Sequence, residues 1–420
     1  MDSFGFWAIL AVLLAFNVAW SMGANDVANS MGTAIGSRVL SLRQALVIAG
    51  ILEFAGAVLF SQRVVTRLAT NITDAAQFAD QPQTLLIGMV AVLLASGLWI
   101  QIATLLGLPV SSTHAIVGAI AGFSYVAAGA SSINGSALGQ LTLAWVLSPI
   151  LSGLIAAILY ATVRQWVLTN PLPLNQWQEW CPWLSTLLVV VFGAVIAPIF
   201  HNVQLLPQLS LPTHTYLVIG GMGAIALLTG QSWQNPGSLT SSSDELLPGS
   251  NLLEPRFGRF QILSSSFVAF AHGANDVGNA IAPLVVIFAI LHANAVPTEN
   301  LTVPLWILLL GGVAIIAGLA VQGRNVITTV GEKITELQPS SGFCAELATA
   351  ATVLLASGLG FPVSTSHVLV GSLVGISTVN QSTTKSYGTI GSIISAWALT
   401  VPIATGLGSI SYVILKSVFG

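Results

Sequence analysis

Residues 16–30 read FNVAWSMGANDVANS, and residues 266–280 read SFVAFAHGANDVGNA. The two stretches align without gaps at an offset of 250 and share the motif Gly-Ala-Asn-Asp-Val. A second pair follows at an offset of 253, with LLGLPVSSTHAIVG over residues 105–118 and GLGFPVSTSHVLVG over residues 358–371. Two ordered matches at nearly constant spacing indicate an internal duplication, which has to be recognised before the fold can be assigned.

The composition is that of a membrane protein. Of the 420 residues, 54% are hydrophobic and 6% are charged, and the mean hydropathy is +0.87. Soluble domains carry about 25% charged residues. A crossing of the hydrocarbon core needs roughly 20 apolar residues, and the chain offers about 10–12 such segments. We therefore predict an all-α polytopic membrane protein, because helices satisfy their own backbone groups in lipid. The net charge of -3, with no basic run, argues against a nucleic-acid partner.

The duplication also divides the chain into segments. A weaker match between the stretches that begin at Ala55 and Ala317 keeps the order of elements the same in both halves. The polar stretch that contains SLTSSSDELLPGS is rich in Ser, Gly and Pro, which is typical of a linker. We predict a first membrane repeat over 1–165, additional transmembrane segments over 166–230, a polar linker over 231–259 and a second membrane repeat over 260–420.

The aspartates of the GANDV motifs, Asp26 and Asp276, lie in apolar surroundings at matched positions. A carboxylate at the bilayer centre costs at least ~2.5 kcal/mol and needs a partner. Neither motif contains Lys or Arg, so the predicted partner is a bound cation. Gly23 and Gly273 should let each helix unwind and expose carbonyl ligands. An aspartate pair that only packs helices is the structural alternative. The predicted cation-binding residues are Asn25, Asp26, Asn29, Asn275, Asp276 and Asn279.

The second pair of motifs, PVSSTH and PVSTSH, predicts a helix that ends near Gly-x-Pro and another that begins at a hydroxyl cap. Each copy would place a helix N-terminus, with its unpaired N–H groups, inside the membrane, where it can bind an anion. Hydroxyl groups that only join helices by hydrogen bonds are the alternative. The predicted anion-binding residues are Ser111, Ser112, Thr113, Ser364, Thr365 and Ser366.

Further polar residues lie beside these motifs. His114 and His367 end the two hydroxyl motifs and are predicted to support the site more than to bind ligands. Glu53 and Glu346 are acids in apolar segments without an acidic counterpart in the other half. They are candidates for coupling, and a neutral, hydrogen-bonded carboxyl group is the alternative for each. His272 has no histidine counterpart and so lies outside the symmetrical core.

The paired GANDV, PVSSTH and PVSTSH motifs resemble those of the inorganic phosphate transporter (PiT) family of cation-coupled symporters. The resemblance implies an inverted-repeat fold, commonly dimeric, with broken helices and re-entrant hairpins whose tips carry the hydroxyl motifs. It also implies that the Asn-Asp pairs help to bind the coupling ions and that the hydroxyl residues approach phosphate or those ions. The short linker resembles that of bacterial or plastid members.

The expected function is secondary active import of inorganic phosphate by symport with a cation, sodium being favoured over the proton. Na⁺ would bind at the Asp26 and Asp276 motifs, no other cofactor is expected, and a homodimer in a bacterial inner membrane is predicted. A permease for sulfate or another tetrahedral oxyanion, and a passive anion channel, are the alternatives. The chain is not expected to be an enzyme, because an intramembrane aspartyl protease would give the hydroxyl motifs no role.

Overall fold

The structure is a computed structural model, and it describes residues 3–106, 110–202, 213–234, 253–297, 301–333, 338–380 and 387–420. Over these residues the chain is helical, apart from turns, loops and an isolated bridge between Thr73 and Ile133. The α-helices are α1 Ser3–Gly36, α2 Leu42–Phe60, α3 Gln62–Thr70, α4 Pro82–Leu105, α5 Ser112–Ala128, α6 Gly135–Val163, α7 Pro173–Asn202, α8 Thr213–Gln234, α9 Glu254–Ala293, α10 Leu305–Lys333, α11 Pro339–Gly358, α12 Thr365–Asn380 and α13 Tyr387–Phe419.

Eight helices in the described part of the chain are long and apolar enough to cross a membrane. They lie in α1, α2, α4, α6, α9, α10, α11 and α13. The helices α5 and α12 have 17 and 16 residues, fewer than the roughly 20 that a full crossing needs. Each follows a longer helix and begins within a PVS motif. The predicted all-α polytopic fold is confirmed, and the predicted helix breaks lie at these motifs.

The two helices that carry GANDV, α1 and α9, pack against each other in opposite directions. Phe4 at the start of α1 contacts the ring of His292 near the end of α9, with centroids 5.6 Å apart. Ser37, just after α1, donates a hydrogen bond of 2.7 Å to the Oε1 of Gln261 near the start of α9. Such an antiparallel course is what an inverted repeat requires. How the two repeats face the two sides of a membrane stays a prediction.

Equivalent helices of the two halves exchange partners reciprocally. Helix α1 packs on α10, as α9 packs on α2. In the same way α5 packs on α13, as α12 packs on α6. Each half therefore completes the packing of the other, and the core is continuous between them.

The GANDV helices are unbroken at their motifs, so the unwinding predicted at Gly23 and Gly273 is wrong. These glycines serve close packing instead. A methyl group at Gly23 would lie 2.1 Å from the backbone oxygen of Ile315, and one at Gly273 would lie 1.9 Å from that of Glu53. Small residues allow such close approach of membrane helices. The glycines thus place the aspartates next to neighbouring helices without exposing carbonyl groups.

Described helices extend into both ends of the predicted linker over 231–259. Helix α8 ends at Gln234, and α9 already begins at Glu254. The intervening residues 235–252 lie outside the described residues, and the division into four segments stays a prediction.

Candidate functional site

The two motif aspartates are buried close together, with His272 beside both. The Nε2 atom of His272 lies 2.9 Å from the Oδ2 of Asp276 and 3.8 Å from the Oδ2 of Asp26. All three side chains are buried, and one ligand atom from each falls within 4.8 Å of the others. The antiparallel packing of α1 and α9 has therefore brought the two copies of the motif into one cluster.

Glu53, on α2, completes this cluster from the other side of the histidine. Its Oε1 lies 3.2 Å from the Nδ1 of His272 and accepts a hydrogen bond of 3.1 Å from the Oγ of Ser30. Glu53 thus lies beside the aspartates, and its predicted role in coupling stays a prediction. The role of His272 was missed, although the sequence carried a signal for it.

That signal is a difference between the two halves of the sequence, which both His272 and Glu53 show. The offset of 250 pairs His272 with Met22, and the weaker match, at an offset of 262, pairs Glu53 with Ile315. Met22 of the first half thus stands at the position of His272, and Ile315 of the second half stands at the position of Glu53. Both exceptions place an ionisable residue where the other half has an apolar one, which marks each as a candidate, but Glu346 shows the same pattern, and the sequence does not indicate which acid contacts the histidine.

The asparagine three residues after each motif aspartate, Asn29 or Asn279, joins that aspartate to a hydroxyl group from the other half. The Nδ2 of Asn29 donates to the Oδ1 of Asp26 at 3.1 Å and to the Oγ of Ser366 at 2.7 Å. The Nδ2 of Asn279 lies 3.0 Å from the Oγ1 of Thr113 and 3.4 Å from the nearest oxygen of its own motif aspartate. Each GANDV motif therefore meets the hydroxyl motif of the opposite half.

The first asparagines contact the chain around the helix breaks instead. The Nδ2 of Asn25 donates to the Oγ1 of Thr104 near the end of α4, at 2.9 Å. Asn275 donates to the Oγ of Ser357 at 2.8 Å and to the carbonyl of Phe361 at 3.1 Å, and it accepts from the N–H of Val363 at 3.2 Å. These contacts fix the loop between α11 and α12. That Asn25 and Asn275 bind a cation stays a prediction.

The two hydroxyl motifs begin α5 and α12 with side-chain caps. The Oγ of Ser111 accepts from the N–H of His114 at 3.2 Å, and the Oγ of Ser364 accepts from that of His367 at 3.4 Å. The predicted helix starts are confirmed, whereas Pro109 lies outside the described residues. The other hydroxyl residues of the motifs are also buried: Ser112, Thr113, Thr365 and Ser366.

One hydroxyl group contacts an aspartate directly. The Oγ1 of Thr365 donates to the Oδ2 of Asp276 at 3.0 Å. Thr113, near the start of α5, donates to the carbonyl of Val363 at 3.1 Å. The two helix N-termini, with their partly positive ends, therefore converge on the aspartate cluster.

Glu346 belongs to a separate polar cluster. Its carboxylate accepts hydrogen bonds from Thr33, from the Oγ of Ser264 at 2.6 Å and from the Nε2 of Gln261 at 3.4 Å. The carboxyl group joins α11 to α1 and α9, and three donors satisfy it. The hydrogen-bonded carboxyl group that was the alternative for Glu346 agrees with these contacts, whereas its neutral state and its role in coupling stay predictions.

The aspartate cluster has buried oxygen atoms that suit a cation. Among the described residues, the Oδ2 of Asp26 and the Oδ1 of Asn279 accept no hydrogen bond, although both are buried. Buried polar atoms are seldom left unpaired, because the loss of hydration costs about 1–3 kcal/mol. Carboxylate, amide and hydroxyl oxygens are ligands for hard cations, and these residues therefore fit such an ion.

The chain matches the model of the Phosphate transporter family over residues 22–408. It is 36% identical to "Inorganic phosphate transporter 2-1, chloroplastic" from Arabidopsis thaliana, over 95% of this chain and 70% of the relative. Relatives from Pyrococcus abyssi and Haemophilus influenzae are 36% and 34% identical, each match covering at least 97% of both chains.

A solved structure has the same fold. That protein is described as "The sodium-dependent phosphate transporter", and it superposes with a TM-score of 0.87 at 34% identity, over 99% of this chain and 100% of that one. The two GANDV motifs, their partner hydroxyl motifs and the helical fold are thus accounted for together: this chain belongs to the phosphate transporter family.

Proposed function

We propose that this protein imports inorganic phosphate together with sodium. The observation that carries the proposal is the convergence of two hydroxyl-capped helix N-termini on a buried pair of aspartates. The aspartates provide a place for cations, and the helix ends provide donors for an anion. The names of the family and of the solved relative, which describe phosphate transport and sodium dependence, support the same function.

Sodium is favoured over the proton by the types of atoms in the cluster. A proton needs only one carboxylate oxygen. The cluster also contains a buried amide oxygen, the Oδ1 of Asn279, which accepts no hydrogen bond among the described residues. An amide oxygen does not take up a proton at neutral pH, but it is a good ligand for a hard cation. The threonine and serine hydroxyl groups nearby can complete the coordination of sodium.

The phosphate site is proposed to lie at the starts of α5 and α12. Thr113 and Ser366 each accept a hydrogen bond from an asparagine of the opposite half, so both hydroxyl groups already face the site. The free N–H groups of the first helical turn add donors. A tetrahedral anion can be held by such groups without an arginine, as in other helix N-terminal sites.

Binding of the two ions should be coupled by charge. A phosphate anion at 4 Å from an aspartate is repelled by about 4 kcal/mol at an effective dielectric constant of 20. A cation beside Asp26 or Asp276 removes most of this repulsion. Sodium should therefore bind before phosphate or with it, and the rocking of one repeat against the other would then expose the site to alternate sides.

The deciding experiment is uptake of radiolabelled phosphate into proteoliposomes under separate sodium and pH gradients. We expect uptake to follow the sodium gradient and to be lost, at least a hundredfold, in Asp26→Asn and Asp276→Asn. Uptake that follows only the pH gradient would assign the proton as coupling ion. Near-normal sodium-dependent uptake in both variants would contradict the proposal.

Two alternatives are tested in the same vesicles. Sulfate and arsenate compete with labelled phosphate if the site accepts any tetrahedral oxyanion, and labelled sulfate is taken up in preference to phosphate if the chain is a sulfate permease. A passive channel would give flux without a cation gradient. The protease alternative is excluded by membership of a transporter family.

A further inference from the structure

Four buried or partly buried rings lie side by side behind the two helix starts. The rings of His114 and His367 meet edge to face, with centroids 4.6 Å apart and planes at 80°. The ring of Trp145 lies 4.0 Å from that of His114, and the ring of Trp397 lies 3.7 Å from that of His367. We call these four residues the ring array. It lies directly behind the hydroxyl groups that the proposed function assigns to phosphate, because each histidine ends a hydroxyl motif.

The helices that carry the array form two tightly packed pairs. Helix α5 packs on α13 so closely that a methyl group at Gly122 would lie 2.1 Å from the backbone oxygen of Thr405. Helix α12 packs on α6 in the same way, since a methyl group at Gly371 would lie 2.2 Å from the backbone oxygen of Pro149. Two backbones that approach closely enough to exclude a methyl group resist sliding past each other. Each pair should therefore move as one body.

Every ring contact of the array joins one helix pair to the other. His114 belongs to α5 and meets Trp145 of α6 and His367 of α12, whereas Trp397 of α13 meets His367. In the described part of the chain, α5 does not pack along α12, and α6 does not pack along α13. Flat rings that contact across such a boundary can separate without breaking backbone packing.

We infer that the ring array, together with the hydrogen bond from Thr113 to the carbonyl of Val363, holds the two hydroxyl motifs together around bound phosphate, and that it opens when the site is exposed to one side of the membrane. His114 and His367 are positioning residues in this inference, because they act through the hydroxyl groups beside them. The inference rests on the proposed transport function, since it names the contact that must open for phosphate to enter or leave.

The first test links the two histidine positions. The variant His114→Cys/His367→Cys is made in a chain that also carries Cys181→Ala and Cys344→Ala, because these are the two cysteines of the sequence. Cd²⁺ bridges two neighbouring thiolates and is removed by a chelator. We expect Cd²⁺ to reduce phosphate uptake at least tenfold, and the chelator to restore it. Cd²⁺ should leave the phosphate uptake of the cysteine-free parent and of each single cysteine variant at its own starting value.

A matched control lies within one helix pair. Ser152 of α6 and Ser372 of α12 face each other with hydroxyl oxygens 2.5 Å apart. Cd²⁺ bridging of Ser152→Cys/Ser372→Cys should leave phosphate uptake within twofold of its starting value. If the link across the ring array is tolerated, or if the single variants are inhibited equally, the inference is wrong. Arrest by the control link would equally contradict it, because the pair would then not move as one body.

A second measurement leaves the array intact. Spin labels at Val126 of α5 and Val374 of α12, both exposed, report the distance between the two pairs by pulsed electron paramagnetic resonance. Labels at Leu143 of α6 and Val374 report the distance within one pair. We expect the distance between pairs to shift on addition of sodium phosphate while the distance within the pair stays constant. Invariant distances between the pairs would overturn the inference even if phosphate uptake is normal, so its failure is distinguishable from failure of the proposed function.

Discussion

At the scale of single residues, Asn279 links the two kinds of ion. Its Nδ2 donates to Thr113, a proposed phosphate residue, while its Oδ1 accepts no hydrogen bond among the described residues. We predict that Asn279→Ala raises the sodium concentration for half-maximal uptake about tenfold, which corresponds to about 1.4 kcal/mol. Maximal uptake at saturating sodium should change less.

The measurement is the sodium dependence of phosphate uptake in proteoliposomes. Ser266→Ala is the matched control, because the hydroxyl group of Ser266 donates to the carbonyl of Ile262 one turn earlier in α9. An unchanged sodium dependence in Asn279→Ala would remove this residue from the cation site.

Glu53 and His272 can be replaced by the residues that stand at the matched positions of the other half. The double variant Glu53→Ile/His272→Met removes both members of this contact together, so neither is left buried without the other. We predict a monodisperse protein with sodium-driven uptake reduced more than tenfold. Normal uptake would show that the pair serves packing alone.

The single variants Glu53→Gln and His272→Asn provide the comparison. Each leaves one partner of a 3.2 Å contact in place. Residues in direct contact usually couple by about 0.5–3 kcal/mol. The losses of the two single variants should therefore exceed, when added, the loss of the double variant.

Sequence reasoning singled out the two aspartates that the structure brings together, but it did not predict the contacts that residues make with the other half. Asp26 and Asp276 were predicted from the cost of a buried carboxylate. That Asn29 meets Ser366 could not be predicted, because 337 positions separate the two residues and the local pattern does not specify contacts between halves.

At the scale of helices, the motif glycines control stability. Gly273→Ala would place a methyl group 1.9 Å from a backbone oxygen of α2, and a backbone atom cannot rotate away as a side chain can. Overpacking costs typically about 1–3 kcal/mol. We predict a clear loss of monodisperse protein and a lower midpoint of thermal unfolding for Gly273→Ala.

Gly139 provides the control within the same chain. It lies in α6, is exposed, and has no atom within 4 Å of an added methyl group. Gly139→Ala should keep or slightly raise the unfolding midpoint, because alanine favours the helix. Equal behaviour of the two variants would show that α9 and α2 can separate at little cost.

The helix breaks and the unbroken helices differ in how well the sequence predicts them. The break before α12 follows from proline and a hydroxyl cap, which are local signals. The unbroken course of α1 and α9 was not predicted, because a glycine in a membrane helix is equally compatible with flexibility and with close packing. The neighbouring backbone, which the local sequence does not specify, decides between them.

At the scale of the whole molecule, α1 and α9 run antiparallel, and the repeats are predicted to be inverted across the membrane. Arg43, after α1, and Ala295, after α9, are exposed, and a single cysteine at either position tests this arrangement. In a chain that also carries Cys181→Ala and Cys344→Ala, we predict that a membrane-impermeant thiol reagent labels them from opposite sides of sealed vesicles. Labelling of both from one side would contradict the prediction.

The class of molecule was predictable from the sequence, whereas its oligomeric state and the membrane in which it lies stay predictions. Composition and duplication led to a polytopic helical membrane protein, the motifs and their resemblance to the PiT family led to a transporter, and the family match confirms this class. A homodimer and a bacterial inner membrane stay predictions, because relatives come from archaea, bacteria and a plant chloroplast. The mass of the purified protein in detergent, measured by light scattering, tests the dimer.

The pairing of Glu53 with His272 has a further consequence for the balance between conformations. Two identical inverted halves would make the inward-open and outward-open states mirror each other, and the two states would have equal free energy in a symmetric membrane. In this chain the acid and the histidine each face an apolar residue at the matched position of the other half. With the predicted inverted arrangement the two halves are therefore not equivalent at this contact, and we expect the contact to contribute to a difference in free energy between the two states.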